Sequence, residues 1–256
     1  MKDRETNFLQ IDGWKKNGKI AHGFGMRSRG GEKPTRKDWL GKTVREEEEN
    51  FPLVSLRQVH GDRVVIFEGN IQKVGEIWGE EGDSLITQAS GLALGVFTAD
   101  CLPIFLYDPQ KQVIGVVHAG WRGTARGVTE KAVEKMKAAF ECQSADIRAA
   151  MGPCIGPCCY EVDSPVKEAF EGSGIPWELI SQPRGERKWS LDLHLANILL
   201  LEAAGVREEN IEIVKLCTSC RREVFYSYRN GDKTQGRQLN FIALKRGCKN
   251  GESNVK

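Results

Sequence analysis

The sequence predicts an α+β fold, with mixed, largely antiparallel sheets and flanking helices. Three observations carry that reading. Short apolar, β-branched runs follow one another from Phe51 to His118 with no helical periodicity between them. Turn residues such as Gly61-Asp62 and Asp108-Pro109 punctuate these runs. Helical spacing is confined to a few later windows, whereas a doubly wound parallel sheet would alternate strand and helix throughout.

The elements follow in chain order. Residues 28 to 50 are rich in Gly, Lys, Arg and Glu and predict a surface excursion, with Glu46 to Glu49 on a solvated loop or helix face. Leu53 to Val59 and Arg63 to Phe67 predict two strands broken at the Gly61-Asp62 turn. Ser84 to Thr87, Leu92 to Thr98, Pro103 to Tyr107 and Val113 to His118 predict four more. Ala125, Val128, Ala132, Met136 and Ala139 recur at spacings of three and four, which predicts a helix over about 124–140. A shorter helix is expected over Asp163 to Phe170. Another, over Leu191 to Ala204, ends at the capping residue Gly205. Ile211 to Leu216 and Gln238 to Leu244 read as late strands.

Residues 1–256 are expected to form a single catalytic domain, since this length buries a substantial core and no repeat or low-complexity linker divides it. A net charge of +2 gives no electrostatic case for nucleic acid or an anionic membrane as partner. No stretch approaches the ~20 apolar residues of a membrane helix, and the charged N-terminus does not read as a secretory signal. The cytoplasm is the expected location. Eight cysteines in a chain this long read as buried thiols, metal ligands or a catalytic thiolate rather than a disulfide framework.

The chemistry-bearing residues stand at the ends of apolar runs. His60 closes Gln58-Val59-His60, Cys101 follows Thr98-Ala99-Asp100, and His118 ends Val113 to Val117. If those ends converge, two imidazoles and a thiolate form a three-ligand zinc site with a fourth position open for water or substrate. Spacing alone leaves the bland alternative standing: a turn histidine, a buried small hydrophobe and a satisfied strand-end histidine. Gly120-Trp121-Arg122-Gly123 leads into the predicted helix, so Arg122 and Gly123 are candidate phosphate-binding residues; the alternative is a surface arginine and turn glycines. Asp100, next to Cys101 in an extended segment, should face away from the metal. Asp83 reads as a turn residue, with an acid or base of unplaced position as the alternative, and His22 and His194 read as structural. Cys154, Cys158 and Cys159 with Cys217-Thr218-Ser219-Cys220 could supply a second, structural zinc, but buried free thiols are the expectation.

Five motifs in order then carry a resemblance. They are Arg57-Gln58-Val59-His60-Gly61, Gly82-Asp83-Ser84-Leu85-Ile86-Thr87, Thr98-Ala99-Asp100-Cys101-Leu102-Pro103, His118-Ala119-Gly120-Trp121-Arg122-Gly123, and Gly152-Pro153-Cys154-Ile155-Gly156-Pro157-Cys158-Cys159-Tyr160-Glu161-Val162. Together they resemble the YfiH/YlmD family, once labelled multicopper polyphenol oxidase or laccase-like. The likeness runs from His22-Gly23-Phe24 to about Leu239. It implies a YfiH-type, cysteine-hydrolase-like α+β fold and a zinc-dependent purine nucleoside phosphorylase with adenosine deaminase activity. Substrates would be adenosine, inosine, guanosine and methylthioadenosine, with inorganic phosphate as co-substrate and a monomeric or homodimeric enzyme. The metal-binding, catalytic residues fall on His60, Cys101 and His118. Arg27 matches the arginine after the His-Gly-Phe motif, and it and Gln58 join Arg122 and Gly123 as candidates for substrate or phosphate. The stretch from Arg29 to Asn50 is shorter than is usual in the family, which puts its part in the pocket wall in question.

Two other chemistries compete. A copper-dependent phenol oxidase would share the two-histidine, one-cysteine set, but a multicopper centre needs many more histidines than the four present; copper in vitro is expected only to support a side reaction. A metal-free hydrolase would use Cys101 as nucleophile and His118 or His60 as base.

Overall fold

The structure is a computed structural model and describes residues 8–16, 18–28, 33–46, 49–69, 71–231 and 236–247. Its fold is α+β, built on two six-stranded mixed sheets. The first runs in the order Phe8–Leu9, Ile20–Gly25, Gln238–Leu244, Ala93–Thr98, Glu49–Val54, Thr43–Glu46. The second runs Ile211–Ile213, Arg148–Met151, Leu102–Asp108, Val113–Ala119, Ser84–Thr87, Val64–Ile66. A small third sheet joins Glu161–Asp163, Lys188–Leu191 and Ser181–Gly185. Most pairings are antiparallel; among the described residues the parallel ones join Glu49–Val54 to Ala93–Thr98, Val64–Ile66 to Ser84–Thr87, and Arg148–Met151 to Ile211–Ile213.

The layers follow from side-chain alternation. In Leu102–Asp108, Leu102, Ile104 and Leu106 face one way and Phe105 and Tyr107 the other. The first set packs against Val128, Ala132, Val133, Met136, Leu200 and Leu201 of two helices, Val128–Phe140 and Leu193–Ala203. The second set meets Phe24, Val54, Leu94, Val96 and Ile242 of the first sheet, and Phe105 stacks on Phe24 with centroids 4.3 Å apart. On the outer face of the first sheet, Trp39 and Trp78 pack in one cluster with its residues Val44, Phe51, Leu53 and Phe241. Strands buried on both faces have no polar side to show, which is why they read as continuous apolar runs.

Helix ends follow local chemistry. The Asp192 side chain caps Leu193–Ala203 by accepting from Leu195 N at 3.1 Å, and Gly205, at φ +90°, ends it. Asp192→Ala should therefore cost about 1 kcal/mol and lower the melting temperature by about 2–4 °C in a thermal scan.

Four expectations are corrected. The helix predicted over 124–140 is two helices, Trp121–Ala125 and Val128–Phe140, because Gly127 adopts φ +74° between them. Leu53–Val59 and Arg63–Phe67 are not two strands about one turn: the chain leaves the first sheet after Val54 and joins the second at Val64, so residues 55–63 cross between sheets. The charged stretch 28–50 is not wholly surface. Thr43–Glu46 and Glu49–Val54 form a hairpin whose alternation buries Val44 and Phe51, and Trp39 packs under it. Glu46 and Glu49 pair across that hairpin, while Glu47 and Glu48 lie outside the described residues, as do Arg29 and Gly30. The late strand at 211 stops at Ile213.

Candidate functional site

The antiparallel register of the second sheet sets the site. Leu102 pairs with Ala119 and Pro103 with His118, so the residues just beyond that end, Cys101 and Gly120, face each other. A Cβ on Gly120 would lie 3.0 Å from Cys101 Sγ and 3.2 Å from His60 Cδ2, so glycine there makes room for the side chains that converge. His60 arrives on the crossing segment 55–63 in a left-handed conformation, φ +58°, that few non-glycine residues adopt.

Asp83 holds that conformation. Its buried carboxylate accepts from Val59 N at 3.2 Å, His60 N at 3.0 Å and Gly61 N at 2.7 Å, and lies 2.7 Å from His118 Nδ1. One side chain thus fixes the His60 loop and the His118 ring together. The turn role expected of Asp83 is corrected: it directly precedes Ser84–Thr87, which pairs with the His118 strand, and Asp83 O accepts from His118 N at 2.7 Å. A Gly-Asp-Ser step leading into an apolar strand was the available signal.

His60, Cys101 and His118 thus come together, with their ligand atoms within 4.8 Å of one another. The two rings lie 4.8 Å apart, nearly edge-on at 78°. His118 is buried, Cys101 half-buried and His60 exposed. With Nδ1 taken by Asp83, His118 has Nε2 left for the Cys101 side, an arrangement that fixes the tautomer of a metal-binding imidazole. Two imidazoles and a thiolate, open on one side, could hold a metal ion.

Burial alone would push the Cys101 thiol up, but the facing His118, and next to it His60, outweigh it and hold it at about 6. Burial likewise opposes charge on His118, but the Cys101 thiolate and Asp83 carboxylate raise it to about 9. Without metal this pair is a thiolate–imidazolium between those values, and a metal ion must displace the His118 proton. Apparent metal affinity should therefore rise about tenfold per pH unit from pH about 6 to 9, level off above that range, and steepen below it as Cys101 also protonates. Chelator competition across that range tests this; a flat profile would refute it.

The cluster opens on a cavity of about 670 Å³, a volume suited to a small organic ligand. Phe97, Trp121, Tyr160 and Tyr228 line it with aromatic surface, and Arg36, Arg57, Arg122, Arg229 and Arg237 with cationic groups. Of these, only Arg122 was singled out from the sequence; the rest come from segments far apart in the chain. Arg122 lies over the Trp121 ring at 4.2 Å. Gln58 also lines the cavity, but both ends of its amide pair with the Phe97 backbone: Nε2 donates to Phe97 O at 2.9 Å and Oε1 accepts from Phe97 N at 2.8 Å. Gly123 is needed for close packing, since a Cβ there would meet Gly61 O at 2.7 Å. Arg27 is not among the cavity-lining residues; it donates to Phe225 O and stacks on Tyr226.

Asp100 lines the cavity, and its segment is not the extended one expected. Its backbone is left-handed, φ +86°, and its carboxylate accepts from Thr218 Oγ1 at 2.6 Å and Arg229 N at 2.7 Å. His22 and His194 are structural: buried His22 Nε2 accepts from Ile11 N, and His194 Nε2 lies 3.0 Å from Gly152 O.

A family model described as multi-copper polyphenol oxidoreductase laccase matches residues 36–245. A Clostridium acetobutylicum protein named purine nucleoside phosphorylase is 36% identical over 74% of this chain and 76% of its own length. A protein named adenosine deaminase RL5, from an unknown prokaryotic organism, is 36% identical over 75% of each chain. The crystal structure of the Bacillus licheniformis hypothetical protein YfiH superposes with TM-score 0.81 and 28% identity, covering 95% of this chain and 98% of that one.

Proposed function

The chain belongs to the multi-copper polyphenol oxidoreductase laccase family, and from its likeness to relatives named purine nucleoside phosphorylase and adenosine deaminase we propose that it is a zinc-dependent purine nucleoside phosphorylase with adenosine deaminase activity. The observation that carries the proposal is the His60–Cys101–His118 cluster opening on a cavity lined by both aromatic rings and arginines. The donor set suits zinc, and Asp83 fixes one ligand's tautomer as zinc sites require. Zinc bound there supplies Lewis acidity and lowers the pKa of its water toward 7.

The chain's own residues divide the remaining work. Phe97, Trp121, Tyr160 and Tyr228 would give a purine aromatic surface to pack on. The lining arginines attract and orient phosphate. In phosphorolysis a phosphate oxygen bonds to the sugar C1′ as the bond to the purine nitrogen breaks. In deamination water oxygen replaces the amino group at purine C6 and ammonia leaves. Adenosine, inosine, guanosine and methylthioadenosine share the purine and ribosyl groups this cavity would recognise. A cytoplasmic location is part of this proposal; no described helix is long and apolar enough to cross a membrane.

Metal-analysed protein incubated with adenosine should release adenine only when phosphate is present, and inosine with or without it. Chromatography separates these products and hypoxanthine. Absence of all three from zinc-loaded protein would sink the proposal.

One observation favours a second reading. Asp83, His118 and Cys101 line up as carboxylate, imidazole and thiolate, the order of a cysteine hydrolase. That reading leaves His60 without a role, although its ring lies within ligand distance of the other two. Zinc bound at this cluster in the native protein and lost in Cys101→Ala would decide against it. A multicopper centre would lack further histidine ligands: the chain has four histidines, and His22 and His194 are buried in other contacts.

A further inference from the structure

Four thiols form a second cluster that the proposed reaction does not use. Cys158, Cys159, Cys217 and Cys220 place their Sγ atoms within 4.8 Å of one another, and none lines the cavity. The expectation of buried thiols holds for Cys142 and Cys154 and fails here: Cys158 and Cys220 are exposed, Cys159 and Cys217 half-buried. The eighth cysteine, Cys248, lies outside the described residues. Free cysteine is among the most buried residue types, so packing does not account for four of them at a surface.

The backbone brings them together from two turns some sixty residues apart. Cys159 N and Tyr160 N both donate to Gly156 O at 2.9 Å, closing a turn that presents Cys158 and Cys159. Arg221 N donates to Cys217 O at 3.1 Å, closing the Cys217-Thr218-Ser219-Cys220 turn, a two-residue knuckle spacing. A bridge between Cys154 and Cys217 and the bond from Thr218 N to Cys154 O at 2.9 Å lock the turns side by side. Gly156 N donates to Cys217 Sγ at 3.2 Å, as backbone amides do to a thiolate.

The spacing fits a metal. Tetrahedral zinc with Zn–S bonds of about 2.3 Å requires its sulfurs about 3.8 Å apart. Cys158–Cys220 and Cys159–Cys220 measure 3.5 and 3.4 Å, well beyond a disulfide bond of about 2.05 Å. A divalent cation would accept all four as thiolates and release their protons.

We propose that Cys158, Cys159, Cys217 and Cys220 bind a structural zinc ion, separate from the His60–Cys101–His118 centre. Four protein ligands close the coordination sphere, so this ion has no open position for substrate. Its effect reaches the cavity through the turns it joins. Ile155 and Tyr160, flanking one turn, line the cavity, and Thr218 in the other donates to Asp100 beside Cys101. The ion fastens the cavity wall to the segment that carries Cys101.

Elemental analysis of the untagged, reduced full chain tests this independently of catalysis. Wild type should carry two zinc ions per chain, and Cys101→Ala and the double variant Cys158→Ser/Cys220→Ser one each. Cobalt loaded into Cys101→Ala should show the intense visible and thiolate charge-transfer bands of a tetrathiolate site. If the double variant does not fold, the Cys101→Ala stoichiometry and cobalt spectrum decide alone. Loss of all metal from Cys101→Ala would overturn the proposal. So would a Cys158–Cys220 or Cys159–Cys220 disulfide in reduced, zinc-replete protein.

Discussion

Cys101→Ala should abolish both phosphorolysis and deamination, each by at least about 10³-fold in kcat/KM. The expectation rests on how little redundancy surrounds the thiol. Among the described residues only His60 and His118 share its cluster, and two imidazoles alone make a much weaker site than three donors. The buried His118 also loses the thiolate that, with Asp83, sustains its charge in metal-free protein. Differential scanning adds a readout free of substrate. Metal binding only the folded state contributes about 4 kcal/mol at a thousandfold excess over Kd. The variant should melt like wild type stripped of the ion at this centre and should not respond to added zinc as wild type does. His60→Ala separates the competing mechanisms: a metal centre predicts comparable collapse, whereas a cysteine hydrolase built on Cys101, His118 and Asp83 predicts near-normal turnover. If either activity survived in Cys101→Ala with the centre empty, a single site serving both reactions would be excluded.

What the sequence shows of this site, and what it hides, has a physical pattern. Ser84–Thr87, Gln238–Leu244 and the strands around Cys101 and His118 are legible because burial on both faces leaves them mostly apolar and free of charged residues over their central positions. Thr43–Glu46 is hidden because an edge strand buries only one face, and its single inward Val44 sits among charges. The break at Gly127 is hidden because helical periodicity continues on both sides of a residue that alone turns left-handed. The metal triad is visible as residue types at the ends of runs, yet its convergence depends on register between strands, which local sequence does not encode. The arginines and aromatics of the cavity come from six or more separate segments and carry no shared motif. The cysteine cluster is the converse case: each half is plain in the sequence, but only the Cys154–Cys217 bridge reveals that the halves meet.

Asp83→Asn should weaken metal binding at the His60–Cys101–His118 centre by about 10–100-fold, although Asp83 touches no ligand position of its own. Burial works against its charge, but His118 and the amides of Gly61 and Val59 hold the carboxyl below the ordinary range. Asp83 Oδ1 serves His60 N and His118 Nδ1, and Oδ2 serves Val59 N and Gly61 N. An amide has one oxygen, so it satisfies one pair and confronts the other with its own N–H groups. Facing the loop, it leaves two backbone donors unpaired at about 1–3 kcal/mol each and frees the strained His60 turn. Facing the ring, it makes His118 accept at Nδ1, which moves the proton to Nε2 and removes the lone pair a metal needs. Either orientation damages one ligand and spares Cys101. Excess zinc should therefore partly restore kcat in Asp83→Asn and restore none in Cys101→Ala, and competition with a chromophoric chelator should report the weakened Kd directly. A purely structural role for Asp83 would lower the melting temperature while leaving zinc affinity and rescue unchanged.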